Sequence, residues 1–185
     1  MKIVTYLKKL KYFTFKQKVL FVLNTISGLI QNHIPNSFKN TFRLTTFLSD
    51  KAISIIATEN AISFTYPINN HLINIELKKN SSDSMVFEQI IILEEYRFLC
   101  ELIIKKQINI NTVIDAGANI GLTTIYLKQY FEDAQFILLE PEAETFARLK
   151  KNLALNKITN AICLNEGLWH EKTELFFDRN FRDKE

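Results

Sequence analysis

Between Ile53 and Leu77 apolar and polar residues alternate in three runs rich in β-branched side chains, Ile53–Ile56, Ala61–Tyr66 and His71–Leu77. A period of two puts one side of each run against a core, and the intervening Glu59-Asn60 and Pro67-Ile68-Asn69-Asn70 read as turns, so a small antiparallel meander is predicted. From Phe87 to Lys106 the period changes: Ile92, Tyr96, Leu99 and Ile103 recur at helical spacing, which predicts one helix with an apolar face turned to a sheet. Beyond it short apolar runs alternate with helical ones. The pattern predicts a strand at Thr112–Asp115, a helix at Ile120–Phe131 and a strand at Gln135–Glu140. A helix opening with Pro141 and running to Asn156 follows, then a strand at Ala161–Leu164, with Thr173–Phe177 a further short run of open pairing. Strands of this kind alternating with helices predict an α/β, doubly wound parallel sheet. Right-handed crossovers would order its three strands 3-2-1 and leave Thr112–Asp115 as an edge with uncovered apolar surface.

The chain has 185 residues, 47% of them hydrophobic, enough for a substantial core. It divides into a basic helical segment at 1–50, a small β region with a polar linker at 51–80, and an α/β domain at 81–185. The charge is uneven. Residues 1–49 hold eight Lys or Arg and no acid, leaving 15 basic residues against all 20 acids in the remainder. A basic excess confined to one end argues for local contact with an anionic surface and against a general nucleic-acid binder. Residues 1–34 interleave lysines with an apolar run, Val19-Leu20-Phe21-Val22-Leu23, too short and interrupted to span a bilayer. Three readings stay open for them: helices packing on the domain, an amphipathic peripheral membrane anchor, or a secretion signal. Cys100 and Cys163 stand apart from each other and from His33, His71 and His170, which gives no metal site and points to reduced thiols in the cytoplasm.

The chemistry concentrates at Val113-Ile114-Asp115-Ala116-Gly117-Ala118-Asn119-Ile120-Gly121, where a strand runs through a glycine turn into a helix. Two of the four glycines of the chain fall here. Gly117 permits a close approach to the backbone, and the following helix start offers unpaired N–H groups as a binding cradle. A dinucleotide fingerprint would need a second glycine where Asn119 stands. Asp115 at the strand end would repel a pyrophosphate and attract an ammonium, which suits S-adenosylmethionine better than NAD. Glu140, 23 residues after Gly117, lies near the offset at which an acid on the second strand tip takes a ribose hydroxyl pair.

On Glu95-Tyr96, the 113–121 loop, Leu139-Glu140-Pro141, Lys151-Asn152 and Asn165-Glu166-Gly167-Leu168-Trp169, the chain from about Phe87 onward resembles the FkbM-type S-adenosylmethionine-dependent methyltransferases. The resemblance implies a class I methyltransferase, Rossmann-like fold. Asp115, Gly117, Ala118, Asn119 and Gly121 would surround the methionine part of the cofactor, with Glu140 and Pro141 at the ribose and Gly167 and Leu168 near the adenine. It also implies O-methylation of a hydroxyl or carboxyl on a sugar, glycolipid or secondary metabolite. Tyr96 and Glu95 would reach the cofactor or simply pack. Such enzymes continue through a fourth to a seventh strand, whereas 16 highly charged residues follow Trp169 here. The chain therefore reads as the front part of an enzyme, inactive if truncated, and no residue stands out as a general base. Two rivals remain: an NAD-type oxidoreductase, and a non-catalytic membrane-surface module acting through residues 1–34.

Overall fold

The computed structural model describes Leu44, Leu48, residues 51–79 and 81–171, Thr173 and Glu174. The readings of residues 1–34 lie outside the described residues, as does most of the expected run at 173–177; Thr173 and Glu174 belong to no strand.

The meander is present as β1 (Ile53–Ala57), β2 (Ala61–Ile68) and β3 (His71–Lys78), antiparallel in that order. Its inner face buries Ile62, Phe64, Tyr66 and Ile68 of β2 and Ile73, Ile75 and Leu77 of β3, the alternation that the sequence shows. The turn is tighter than expected. Pro67 and Ile68 belong to β2, paired with Leu72 and His71, and the reversal falls on Asn69 and Asn70, both at positive φ. Pro67 is tolerated there because β1 reaches no further along β2 than Thr65, so no ladder on that side needs its missing N–H.

Next come α1 (Asp83–Phe87), a π-helical turn (Glu88–Ile92) and α2 (Arg97–Lys105), where the sequence pattern predicted one helix. In an α-helix neighbours point about 100° apart, yet both Ile90 and Ile91 are buried, and the wider π winding accommodates them. The helix then breaks at Leu93 and at Glu94, whose φ is 50°. As a result the expected apolar face is not the buried one: Leu99 is exposed, Ile92, Tyr96 and Ile103 are half-buried, and Cys100 is the buried residue of α2. Phe87 of α1 meets Phe64 and Tyr66 edge-on, with centroids 5.1 and 5.3 Å away.

The parallel sheet follows as β4 (Thr112–Ala116), α3 (Leu122–Leu127), β5 (Gln135–Leu139), α4 (Ala143–Leu155) and β6 (Ala161–Leu164), in strand order β4-β5-β6. This is the 3-2-1 half of a doubly wound α/β sheet, with β4 at the edge. The register sets Val113, Phe136 and Ala161 in one row and Asp115, Leu138 and Cys163 in the next. That face is covered, with Phe136 and Leu138 fully buried. The opposite face carries the rows Ile114, Ile137, Ile162 and Ala116, Leu139, Leu164, and there Ile114 is 65% exposed and Ile162 44%. Two crossovers winding in the same direction place both helices on one side, and among the described residues no helix covers the other. Helix α4 starts later than expected. Pro141 precedes the cap, and the Glu142 side chain caps the helix by accepting from the Thr145 N–H.

The two sheets meet through α4. Asn152, fully buried, accepts from the Glu76 N–H of β3 at 2.8 Å and donates to the Glu76 carbonyl and to the Ile120 carbonyl. One turn later, Asn156 accepts from the Asn74 N–H at 2.8 Å and donates to the Asn74 carbonyl at 2.7 Å. Two asparagine side chains thus take the place of a neighbouring strand along the edge of β3, a guard against open-edge pairing. At the end of β3 the Lys78 N–H donates to the buried carboxylate of Asp83, which pairs with Arg148 of α4. Asn152→Ala strands three backbone groups in the interior and is expected to cost about 2–4 kcal/mol in urea unfolding; a loss within error would show that the edge is satisfied otherwise. Among the described residues no helix is long and apolar enough to cross a membrane.

Candidate cofactor site

Parallel strands put the loops after β4, β5 and β6 along one border of the sheet, where ligands of open α/β sheets bind. The first loop is the glycine turn. Gly117 has φ +87°, a conformation that residues with a Cβ take at a cost, and a Cβ built there meets no atom within 4 Å. Its face is therefore open. Gly121, at φ +83°, caps α3, and a Cβ there would lie 3.5 Å from Leu149 Cγ and 3.7 Å from the Leu149 carbonyl. Gly117 borders empty space, whereas Gly121 lets α4 pack against the loop.

The loop amides ahead of the helix are already engaged. The N–H groups of Gly117 and Ala118 both donate to the Leu139 carbonyl at 2.9 Å, and the N–H of Asn119 donates to Glu140 Oε2 at 2.9 Å. Their partners sit at the tip of the adjacent strand, so the loop is braced from across the sheet. Ala118 is buried and Asn119 half-buried with a φ of 50°.

Two carboxylates border the loop. Asp115, half-buried on β4, accepts from Thr124 Oγ1 of α3 at 3.1 Å. Burial raises its pKa, the Thr124 hydroxyl opposes that shift, and the nearby charge of Glu140 reinforces it. Glu140 is itself buried, and its second oxygen accepts from the Glu142 N–H at 3.0 Å. Each Glu140 oxygen thus accepts one N–H, with a lone pair left over for a hydroxyl donor. Beyond β6, Asn165 donates to the carbonyls of Glu140 and Pro141 at 2.8 and 3.1 Å. Gly167 lies against the Pro141 ring, where a Cβ would sit 3.6 Å from Pro141 Cβ, and Leu168 is exposed. The structure thus links Asp115, Gly117, Asn119, Glu140, Pro141 and Gly167 along one border, with Leu168 beside them.

No family model matches the chain. Over 63 residues it is 30% identical to Methyltransferase 1 of Beauveria bassiana, and over 50 residues 38% identical to Methyltransferase sdnD of Sordaria araneosa. The chain is similar to methyltransferases. These matches take in 34% and 27% of this chain and span only 25% and 19% of the relatives' lengths. Among solved structures, a putative transferase from Pyrococcus horikoshii aligns at TM-score 0.41 and 19% identity over 60% of this chain and 38% of that one. The TYW2 protein of M. jannaschii, crystallised with AdoMet, aligns at TM-score 0.38 and 20% identity over 61% of this chain and 47% of that one. Both are too distant to add to the topology read directly.

Two residues of this border went unnoticed in the sequence, Thr124 and Glu142, and Asn165 was noted there only as part of the resemblance. Thr124 had a signal, a hydroxyl on the inner side of the helix that follows the glycine turn. A groove of about 470 Å³ lined by His71, Lys128, Glu132, Lys157 and Asn160 opens at the other end of the sheet and includes no residue of the carboxylate border. Glu95, for its part, accepts from the Gln89 amide, and Tyr96 packs half-buried at the start of α2.

Proposed function

We propose that the carboxylate border holds S-adenosylmethionine and that the protein transfers its methyl group to an oxygen nucleophile. The observation that carries this reading is the pairing of two acids with a loop whose first three amides are already engaged. Such a border repels pyrophosphate and offers it no donors at those positions, but it attracts an ammonium and accepts from hydroxyl groups. In this reading Asp115 faces the ammonium of the methionine part. Gly117 leaves room beside it, and Glu140 takes the ribose hydroxyls while keeping Asn119 in place. The Gly167–Leu168 loop borders the adenine.

S-adenosylmethionine brings its own leaving group, so the protein's tasks are to hold donor and acceptor in line at about 3–3.5 Å and to exclude water. The resemblance to FkbM-type enzymes supports a sugar, glycolipid or secondary-metabolite hydroxyl or carboxyl as acceptor. Calorimetry tests the reading. S-adenosylhomocysteine is expected to bind and NADH to give no heat, and Glu140→Ala is expected to weaken binding by about 1–3 kcal/mol through lost charge-assisted hydrogen bonds and a loosened loop. Tight NADH binding with no response to S-adenosylhomocysteine would falsify it.

A further inference from the structure

We infer that the groove of about 470 Å³ at the far end of the parallel sheet is a second binding site, which takes a small phosphorylated polyol of the sugar-phosphate class. It lies where β5 and β6 begin, whereas the carboxylate border lies where the strands end, so the two sites share no residue and stand or fall separately. Its volume is that of an ordinary small-molecule pocket. Three segments wall it: the start of β3 with His71, the turn after α3 with Lys128, Gln129 and Glu132, and the turn after α4 with Lys157 and Asn160.

The walls are held by bonds that leave binding capacity over. Lys128 donates to the carbonyls of Glu132 and Ala134 at 2.5 and 3.0 Å, with its ammonium 5.0 Å from the centre of the Phe136 ring. An ammonium has three N–H donors, so one is unspent. Gln129 donates to the Ile125 carbonyl at 3.1 Å and keeps its own carbonyl oxygen as an acceptor. At the end of α4 the N–H groups of Lys157 and Ile158 donate to the carbonyls of Ala154 and Leu153, each at 3.0 Å, and Lys157 takes the left-handed turn at φ 57°. Those carbonyls therefore need no cation, and the Lys157 ammonium is not tied to the helix end. Lys78 of β3 and Lys151 of α4 pair with Glu144 and Glu76, but neither Lys128 nor Lys157 has a carboxylate partner among the described residues. Two unpaired ammonium groups on different walls, with an imidazole on the third, favour an anion. A phosphate monoester presents three strong acceptor oxygens to them. The Gln129 carbonyl, the Asn160 amide and the Glu132 carboxylate then suit hydroxyl groups on the body of the ligand.

The full 185-residue chain is titrated by calorimetry with glucose 6-phosphate, inorganic phosphate and glucose, at constant ionic strength in a phosphate-free buffer. Saturable binding of glucose 6-phosphate is expected, with weaker binding of inorganic phosphate and none of glucose. Lys157→Asn retains a residue that tolerates the left-handed turn and should weaken glucose 6-phosphate by about tenfold through a lost charge-assisted hydrogen bond. Glu132→Gln removes a like charge and should tighten it by roughly threefold. Lys150→Ala, an exposed lysine of α4 outside the groove, should change nothing. All three side chains are exposed, so the variants should keep the wild-type unfolding curve. Equal losses at Lys157 and Lys150 would reduce the effect to general attraction by surface charge, and equal affinity for inorganic phosphate and glucose 6-phosphate would leave the hydroxyl acceptors without a role. Either result, or no saturable binding of glucose 6-phosphate, overturns the second site. Displacement of glucose 6-phosphate by S-adenosylhomocysteine would overturn it too, whereas failure of S-adenosylhomocysteine to bind at all bears only on the cofactor border.

Discussion

Gly117→Val is expected to abolish measurable S-adenosylhomocysteine binding, a loss of at least about 100-fold or 2.7 kcal/mol, while the chain still folds. Two effects combine. A β-branched residue at φ +87° is strained by roughly 1–2 kcal/mol or more, and its side chain projects into the open space beside the loop, where nothing lies within 4 Å to stop it. Gly121→Val is the informative contrast. A Cβ there already touches Leu149 and Leu153, so the branched methyls beyond it, added to the strain at φ +83°, should appear as lower stability from a disturbed α4. Calorimetry alongside thermal unfolding separates the two glycines. Equal loss of binding and stability in both variants would show that Gly117 is a structural glycine and that the pocket is elsewhere.

Asp115→Asn should weaken the cofactor and strengthen the apo protein. The carboxylate sits on the covered face of the sheet, and burial makes it harder to ionise than a free aspartate. The folded chain therefore holds that proton more tightly than the unfolded chain does. It follows that the wild type loses stability as pH rises from the ordinary aspartate range through the raised value. Asparagine removes the charge and can still accept from Thr124. At pH 7 its melting temperature should exceed that of the wild type, and the difference should vanish in acid, where Asp115 is protonated. Binding should follow the opposite course. The ammonium needs the ionised acid, so wild-type affinity should fall on acidification earlier than an unperturbed aspartate would dictate, and in Asp115→Asn it should be low throughout. A melting temperature lowered at every pH would mean that the charge stabilises the fold and that Thr124 is its intended partner.

Much of the framework is legible in the chain because its signals are local. Alternation marked β2 and β3, the glycine turn marked the entry to α3, and consistent crossover handedness fixed the order β4-β5-β6 with β4 outermost. The largest misreading depended on partners distant in sequence. Ile90 and Ile91 enter the core together against other elements, and that packing winds the helix into a π turn and turns Leu99 outward. The amides of Gly117 and Ala118 likewise find their acceptor, the Leu139 carbonyl, on the next strand. Pro141 suited a first helical turn by type, but a local bond decided otherwise: the Glu142 carboxylate, accepting from Thr145, starts the helix at Ala143, two residues later. Asn152 stood out only as part of a resemblance; its task on the edge of β3 becomes evident once the two sheets are side by side.

Helix α4 serves two masters. Leu149 and Leu153 close over Gly121 at the cofactor border, and Asn152 and Asn156 grip β3. The small meander is thus no appendage that could be trimmed without consequence: shifting the helix that grips it would also shift the floor beneath Gly121, and the two sheets share one mechanical fate.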